Sequence, residues 1–555
     1  MKRKLWQFFG SLGSSSVLVL LALPLQALQS TGEAGINALI LHKPPYNLTG
    51  RKVALGQVEI GRPGQFGFDK VSVRNRAMPP AGLFFRDTPA KGDKNVDDHA
   101  HNVASIMVSS DKRVPGVAPG ARLYSAAVGN VYPSGQPEEC RSANHVALQN
   151  SGDVRAINFS FGESLEDDPR PDATLDGNAL LTLCVDWSAR VHNVLYVVAG
   201  NQGRGGIPIP TDNFNGINVA FTALNDGVFN KIDFANLGNE IVEVAQRMVG
   251  TERNVGSRRS IGLVAPGSKL TLLDPDGETT TASGTSFAAP HVTATVALLQ
   301  EYGDRQLAKQ AKQKQPTQWS LDARRQEVMK AVLLNAADKI ADPGSGQFLG
   351  MNRTVLTQNN QTWLDSEAYR EPDIPLSLRL GAGQLNAYRA YQQFSGGQWQ
   401  PGQPVAPIGW DYRAVTSGQS ASSPNQIASE VVPGTPLTSR EYPIDGVLQA
   451  GSFISATLVW NRLVELQDRN GNDQYDLGES FVSKGLNDLD LYILPVDASS
   501  INEAIASSVS RIDSTEHIFA TIPTTGQYKL RVQYRTQVSD PVQPYALAWW
   551  AQPIP

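Results

Sequence analysis

The sequence of 555 residues contains only two cysteines, Cys140 and Cys184. Two cysteines are too few for a disulfide scaffold, so the fold has to rest on a hydrophobic core. The two cysteines either form one disulfide bridge or are buried separately as small apolar side chains, and the sequence favours neither alternative.

The sequence also lacks a large excess of either charge. The net charge is only −5, and 18% of the residues are charged. Without a basic surplus there is no electrostatic reason to expect a nucleic acid partner. A hydrophobic content of 41% is typical of a globular protein. The chain is too long for one ordinary core, so we predict two domains.

A long hydrophobic run is missing as well. Near the N-terminus the apolar run 17–25 falls short of the ~20 residues that a membrane span needs. Basic residues at 2–4 precede it and Ala27 follows it, a pattern typical of a secretory signal rather than a membrane anchor. We therefore predict a signal over 1–27, no membrane span in the mature chain, and export to the periplasm or the extracellular space.

The region from 28 to 394 alternates short apolar runs with helical patterns. The runs that indicate buried strands are 53–55, 156–159 and 194–199, and the helical patterns are 143–149, 179–191 and 326–338. Strands buried on both faces and separated by helices predict an α/β fold, with a parallel sheet covered by helices on both faces.

The composition then changes twice. Residues 395–436 are rich in Gly, Pro, Ser and Gln, which indicates a linker. Beyond it, 454–460 and 528–534 alternate apolar and polar residues, as half-buried antiparallel strands do. We predict a C-terminal antiparallel β-sandwich over 437–555.

The strongest motif is Gly-Thr-Ser-Phe-Ala-Ala-Pro-His-Val at 284–292. Ser286 opens an apolar helix, and Pro290 lies in the first turn, where a missing N–H costs little. The N–H groups and positive potential of a helix N-terminus suit an oxygen that becomes negative. A serine that only caps the helix is the alternative, and the surrounding residues favour the functional interpretation.

Together with other segments this motif resembles the subtilisin-like serine proteases, or subtilases. The similar segments, in the order of the family, are 98–105, 116–119, 156–162, 264–267 and 284–292. The resemblance extends from about Val53 to Tyr391. It implies a serine endopeptidase that cleaves protein or peptide substrates through an acyl-enzyme and needs no cofactor for the chemistry. We expect a monomer.

A serine hydroxyl needs a neighbouring base to take its proton. Alignment with the family motif makes His99 the base, and His101 is the competitor. The two histidines with Asp97 and Asp98 could instead form a metal cluster, because His-x-His is a frequent ligand spacing. The position of these residues, where the family has its general base, favours the role of a base over that of a metal ligand. His291, on the nucleophile helix, is expected to be structural.

Further residues follow from the resemblance. Asn201, in an Ala-Gly-Asn context, matches the family's oxyanion amide and would act beside the Ser286 N–H; a role only in the turn is the alternative. The predicted substrate-binding residues are Ser160, Phe161, Gly162 and Gln202.

The acidic residue departs from the family, because Glu59 stands where Asp is expected. α/β-Hydrolases accept Glu in this role, although the backbone would have to absorb the extra methylene. Asp69 is the fallback. We predict a Glu59 carboxylate oxygen within about 3.2 Å of a His99 ring nitrogen.

Two rival functions remain. A catalytically impaired binding protein of the same fold would explain Glu59 and Ala100, which replaces the family's Gly. A sedolisin-like acid peptidase also uses Ser and Glu, but that family has an oxyanion Asp, so Asn201 argues against it.

The C-terminal region contains one candidate metal site. Oxygen-bearing side chains occupy positions 1, 3, 5, 9 and 12 of an EF-hand-like loop: Asp468, Asn470, Asn472, Asp476 and Glu479. Position 6 is Asp473 rather than Gly, and a solvated turn is the alternative. We predict a structural Ca²⁺.

Overall fold

The computed structural model describes residues 30–131, 134–200, 208–232, 257–313, 319–418 and 438–554. The predicted signal, Asn201, Gln202 and part of the predicted linker lie outside these ranges. The helices in the described ranges are α1 Leu39–His42, α2 Asp98–Val108, α3 Gln136–Ala147, α4 Gln149–Gly152, α5 Leu180–Val191, α6 Thr285–Gln313, α7 Gln326–Asn335, α8 Glu367–Arg370 and α9 Ala387–Ser395. None of these helices is long and apolar enough to cross a membrane.

The N-terminal part is built on one large sheet. Its strands are β1 Ala54–Glu59, β2 Gly82–Phe85, β3 Thr88–Pro89, β4 Arg122–Ala127, β5 Val154–Phe159, β6 Leu195–Ala199, β7 Ile217–Asn225, β8 Val228–Lys231, β9 Ile261–Pro266 and β12 Val355–Leu356. The order is β12-β8-β7-β6-β5-β1-β4-β2-β3, with β9 also paired to β7. Most pairs are parallel, and only β2–β3 and β7–β8 are antiparallel. A separate hairpin joins β10 Leu270–Leu273 to β11 Thr279–Ala282.

The strands of this sheet are buried on both faces. In β6, Leu195 and Val197 pack into the core shared with α2, α6 and α7. Tyr196 and Val198 point the other way, into the core with α3 and α5. This period of two explains the continuous apolar run in the sequence. The predicted α/β fold with helices on both faces is confirmed.

The C-terminal part consists of two four-stranded antiparallel sheets, which confirms the predicted sandwich. One has the order β13-β22-β15-β20 and the other β14-β21-β18-β19. The strands of this part are β13 Ile408–Thr416, β14 Ser439–Pro443, β15 Phe453–Trp460, β16 Leu463–Gln467, β17 Ser480–Gly485, β18 Asp488–Pro495, β19 Ala506–Ser508, β20 Thr515–Thr521, β21 Tyr528–Thr536 and β22 Val542–Trp550. Of these, β16 and β17 pair only with each other, in a separate hairpin. Alternate side chains of both sheets, among them Leu458, Leu491 and Leu547, form the core between them.

The linker prediction was wrong for part of its range. Residues 408–416 form β13, which pairs along its whole length with β22 inside the sandwich. Trp410 on this strand is fully buried, so the segment is not a free connection. Composition misled here, because Gly, Pro and Ser mark the turns around β13 but not the strand itself.

The two parts share buried contacts. On α7, the Asn335 amide oxygen accepts hydrogen bonds from Ser455 (2.8 Å) and Thr457 (3.1 Å) on β15. On α9, the Gln393 amide donates to the carbonyls of Gly409 (2.8 Å) and Trp549 (2.9 Å). The sandwich is therefore packed directly on the helices that cover the large sheet.

A hairpin of β16 and β17 projects from the sandwich onto α5. Its Val464 and Phe481 are buried in the core that also contains Trp187. The two cysteines form a disulfide that joins α3 to α5, which settles the alternative the sequence left open.

Candidate active site

Ser286 lies at the start of α6, at the edge of the sheet where β1 and β5 end. Its hydroxyl donates to the carbonyl of Ser160, the residue after β5, over 3.3 Å. In return the Ser160 hydroxyl donates to the Ser286 carbonyl over 2.8 Å. These two bonds fix the first turn of α6 against the end of β5.

His99 is the second residue of α2, and its ring lies beside the residue that follows the nucleophile. The ring centroids of His99 and Phe287 are 5.5 Å apart. On its other side, His99 Nδ1 lies 3.5 Å from Glu59 Oε2, slightly longer than the 3.2 Å expected. The His99 side chain is 40% exposed, whereas Glu59 is 2% exposed. The site thus combines an open imidazole with a buried carboxylate.

The turn after Glu59 remains in tight contact with the start of α2. A Cβ built on Gly61 would lie only 2.2 Å from the Cβ of Asp97. Strand β1 and helix α2 therefore meet closely at this turn.

Electrostatics couple the two groups. Burial raises the pKa of Glu59, and the hydrogen bond and charge of His99 only partly oppose this effect. Burial also disfavours the imidazolium of His99, but the Glu59 carboxylate outweighs burial and raises the pKa of His99. A base stabilised in its protonated form by a buried carboxylate is what proton abstraction from a hydroxyl requires.

Within the described ranges no hydrogen bond joins Ser286 to His99, because the serine hydroxyl points to Ser160. A rotation about the Cα–Cβ bond of Ser286 would turn the hydroxyl away from that carbonyl. Such catalytic hydrogen bonds commonly tighten only when substrate is bound.

The competing residues are engaged elsewhere. His101 is fully buried, accepts a hydrogen bond from the Gly64 N–H over 3.1 Å, and has a pKa lowered by burial to about 3. Asp69 makes a bidentate pair with the buried Arg62, both distances being 2.7 Å. His291 is buried within α6, with Nδ1 2.8 Å from the Phe287 carbonyl. None of the three is placed to serve the nucleophile.

The predicted substrate strand continues β5. Ser160 and Phe161 are buried, and the Phe161 ring packs 5.0 Å from that of Phe159. Gly162 is partly exposed, and the next residue forms a bridge to Ile209. The other two predicted residues, Asn201 and Gln202, lie outside the described residues.

Sequence reasoning missed the structural role of Asp97 and treated it only as a member of a metal cluster. Its carboxylate accepts a hydrogen bond from the Ala100 N–H over 2.8 Å and so caps α2. The signal was present, because an Asp directly before a helical pattern is a preferred N-cap.

The predicted calcium loop closes the β16–β17 hairpin. The amides of Asn470 and Asn472 both donate to Asp476 Oδ2, over 2.7 and 2.8 Å. Asp468 accepts from the N–H groups of the loop, and Glu479 accepts from Arg469 and Asp476.

Three of the five predicted ligand side chains thus converge, but each of the five already has a partner within the loop. Among the described residues no group of three or more His, Cys, Asp or Glu is placed to hold a metal ion. This covers both the loop and the alternative cluster around His99 and His101. The calcium ion therefore stays a prediction.

Comparison with known proteins points to one family. Residues 84–352 match the model of the Subtilase family. This segment includes His99, Ser160, Asn201 and Ser286 but begins after Glu59.

Three curated relatives are similar over part of their length. Thermitase from Thermoactinomyces vulgaris is 25% identical over 258 residues, which cover 46% of this chain and 72% of thermitase. Subtilisin Savinase from Lederbergia lenta is 27% identical over 221 residues, which cover 39% and 68%. An intracellular serine protease of Paenibacillus polymyxa is 23% identical over 214 residues, which cover 38% and 55%.

A solved structure, the prenylagaramide maturation protease PagA, aligns with 22% identity over 62% of this chain and 95% of that chain, with a TM-score of 0.39. The family match and the curated relatives agree with the motifs and with the site geometry. The segment from 84 to 352 is thus similar to the Subtilase family, and its relatives support the serine protease class.

Proposed function

We propose that this protein is an exported serine endopeptidase with Ser286 as nucleophile and His99 as general base. The observation that carries the proposal is the buried Glu59 carboxylate, which lies 3.5 Å from His99 Nδ1. The same His99 ring packs against Phe287, the residue after Ser286. The contact of Glu59 with His99 supports the proposal, because a triad needs a carboxylate on the Nδ1 side of its base.

In the proposed reaction His99 Nε2 takes the proton of the Ser286 hydroxyl as Oγ attacks the peptide carbonyl. The tetrahedral intermediate collapses when the imidazolium gives this proton to the leaving amine, and an acyl-enzyme remains. Water, deprotonated by His99, then releases the acid and restores Ser286. Glu59 holds the ring by its Nδ1 side and stabilises the imidazolium.

The developing oxyanion needs donors at the start of α6. The Ser286 N–H is one of the unpaired groups of a helix N-terminus. The amide of Asn201 is the second proposed donor. Ser160, Phe161, Gly162 and Gln202 are the proposed contacts for a protein or peptide substrate, and a monomer is the proposed oligomeric state.

Export is proposed from the secretory pattern at 1–27, and the disulfide between α3 and α5 supports it because disulfides persist in oxidising compartments. Edman sequencing of protein recovered outside the cytoplasm should begin after Ala27. An uncleaved N-terminus on cytoplasmic protein would refute export.

The catalytic proposal is tested with a fluorophosphonate probe and a peptide blocked at both ends. The wild type should be labelled on Ser286 and should cleave the peptide internally, and Ser286→Ala should lose both reactions. Ser283→Ala is the matched control, because Ser283 is exposed three residues away, and it should retain both. If folded wild-type protein neither reacts with the probe nor cleaves the peptide, the rival hypothesis of a catalytically impaired binding protein is supported instead.

A further inference from the structure

Asp97 lies between the two halves of the candidate site. Its carboxylate caps α2, two residues before His99, through the 2.8 Å bond from the Ala100 N–H. Its own N–H donates to the carbonyl of Arg62 over 3.0 Å, which ties it to the turn that follows Glu59. The close approach of Gly61 and Asp97 leaves no room for a side chain between them.

Among the described residues, no Lys or Arg side chain forms an ion pair with Asp97. The nearby guanidinium of Arg62 makes its bidentate pair with Asp69 instead. The charge of Asp97 acts on both members of the pair: it raises the pKa of Glu59 and contributes to the raised pKa of His99. Glu59 and Asp97 are the charged groups among the described residues that act on the His99 ring.

The neighbouring Asp98 behaves differently. It is exposed, and its raised pKa reflects burial first and then the charges of Asp274, Asp97 and Asp276. Asp274 and Asp276 lie in the turn between β10 and β11, and Asp98 is not among the groups that shift the pKa of His99.

We propose that Asp97 is a positioning residue for the peptidase reaction, which starts the helix of His99 and supplies a second negative charge that stabilises the imidazolium formed during turnover. This inference rests on the proposed function. It adds a carboxylate that acts through His99 without contact to the substrate.

Asp97→Asn separates the two roles, because Asn is as good an N-cap as Asp but carries no charge. The acidic limb of the pH profile of kcat/KM should move down by about half a pH unit, as expected for one partly solvated unit charge near the ring. The plateau should fall about two- to threefold, while KM and the melting temperature stay unchanged. Asp97→Ala should also lower the melting temperature, and Asp97→Ser should restore it without restoring the pH limb.

Asp98→Asn is the matched control, since it removes one charge at the next residue and should leave the pH limb in place. An unchanged limb in Asp97→Asn, or an equal shift in Asp98→Asn, would overturn the inference.

A second measurement does not depend on activity. In Ser286→Ala protein the His99 ring resonance, assigned by its loss in His99→Gln, should titrate at lower pH when Asp97→Asn is added. If the wild type has no peptidase activity but this shift is observed, the electrostatic role stands and only the proposed function fails. If the shift is absent in a fully active enzyme, only the role of Asp97 fails.

Discussion

Arg462 joins the sandwich to the large sheet at a fully buried point, and its replacement by alanine tests whether the two parts unfold as one unit. Its guanidinium is paired with Asp186 on α5, with Nε 2.9 Å from Oδ2, and Nη2 donates to the Gly177 carbonyl over 2.8 Å. The two side chains are 4% and 0% exposed. Asp186 also accepts from the N–H groups of Phe214 (2.9 Å) and Asn215 (2.8 Å).

Arg462→Ala would leave the Asp186 carboxylate buried with backbone donors only. Removal of one partner of a buried pair costs about 3–5 kcal/mol, because the remaining charge loses its direct partner. The charges of Lys330 and Arg258, which also interact with Asp186, should keep the loss toward the lower end. Lys484→Ala is the control, as it breaks the pair with Glu465 on the same hairpin, where the side chains are 44% and 52% exposed. An exposed pair contributes roughly 0–1 kcal/mol. The loss in the free energy of unfolding should therefore be several-fold larger for Arg462→Ala than for Lys484→Ala.

Equilibrium unfolding in urea, followed by tryptophan fluorescence and by far-UV circular dichroism, measures both variants. We expect coincident transitions with a lower midpoint for Arg462→Ala. Adding Asp186→Asn should recover part of the loss, since the unpaired charge is then gone. The reasoning fails if Arg462→Ala is no more costly than Lys484→Ala, or if the sandwich unfolds in a separate transition that leaves the large sheet intact.

Three further predictions follow from the site and the buried charges. Glu59→Gln should keep the fold but lower kcat about 10³–10⁴-fold, because a neutral amide cannot stabilise the imidazolium; near-normal turnover would remove Glu59 from the triad. Burial lowers the pKa of Lys339 from 10.5 to about 7. Between these two pH values Lys339 is protonated in the unfolded chain but not in the folded one. The free energy of unfolding should therefore rise with pH from about 7 to about 10.5. Lys339→Met should flatten this slope in urea titrations at stepped pH, and an equal slope in both proteins would contradict the assignment. Calcium should raise the melting temperature of the wild type and not of Glu479→Gln, whereas identical melting with calcium and with chelator would leave the 468–479 loop as a solvated turn.

Much of the fold could be predicted because burial on both faces of a parallel strand produces a continuous apolar run. The run at 194–199 corresponds to β6 within one residue, and the alternation at 528–534 lies inside β21. β13 was missed because a strand of nine residues between Gly- and Pro-rich turns leaves only a weak pattern. Pairing with β22 stabilises it, and a contact so distant along the chain leaves no local signal.

The site divides in the same way. Ser286 is found because its motif marks a helix start, and His99 is found by alignment with the family's histidine motif. The contact of Glu59 with His99, by contrast, depends on the conformation of one side chain over a turn, and only coordinates supply it. The engagement of Asp69 by Arg62, which removes the fallback acid, is likewise a matter of tertiary structure.

The three residues of the proposed triad come from β1, α2 and α6, so their mutual distances depend on how the helix layer that contains α2 and α6 sits on the sheet. α2 and α6 lie in one layer, together with α7, and the sandwich reaches this layer through the bonds of Asn335 to β15. It reaches the opposite layer through the β16–β17 hairpin, whose Phe481 packs 5.5 Å from Trp187 on α5. A domain that contacts both layers restrains the sheet between them. The proposed site is therefore expected to depend on the sandwich for its geometry, even though the sandwich contributes none of the proposed reacting groups.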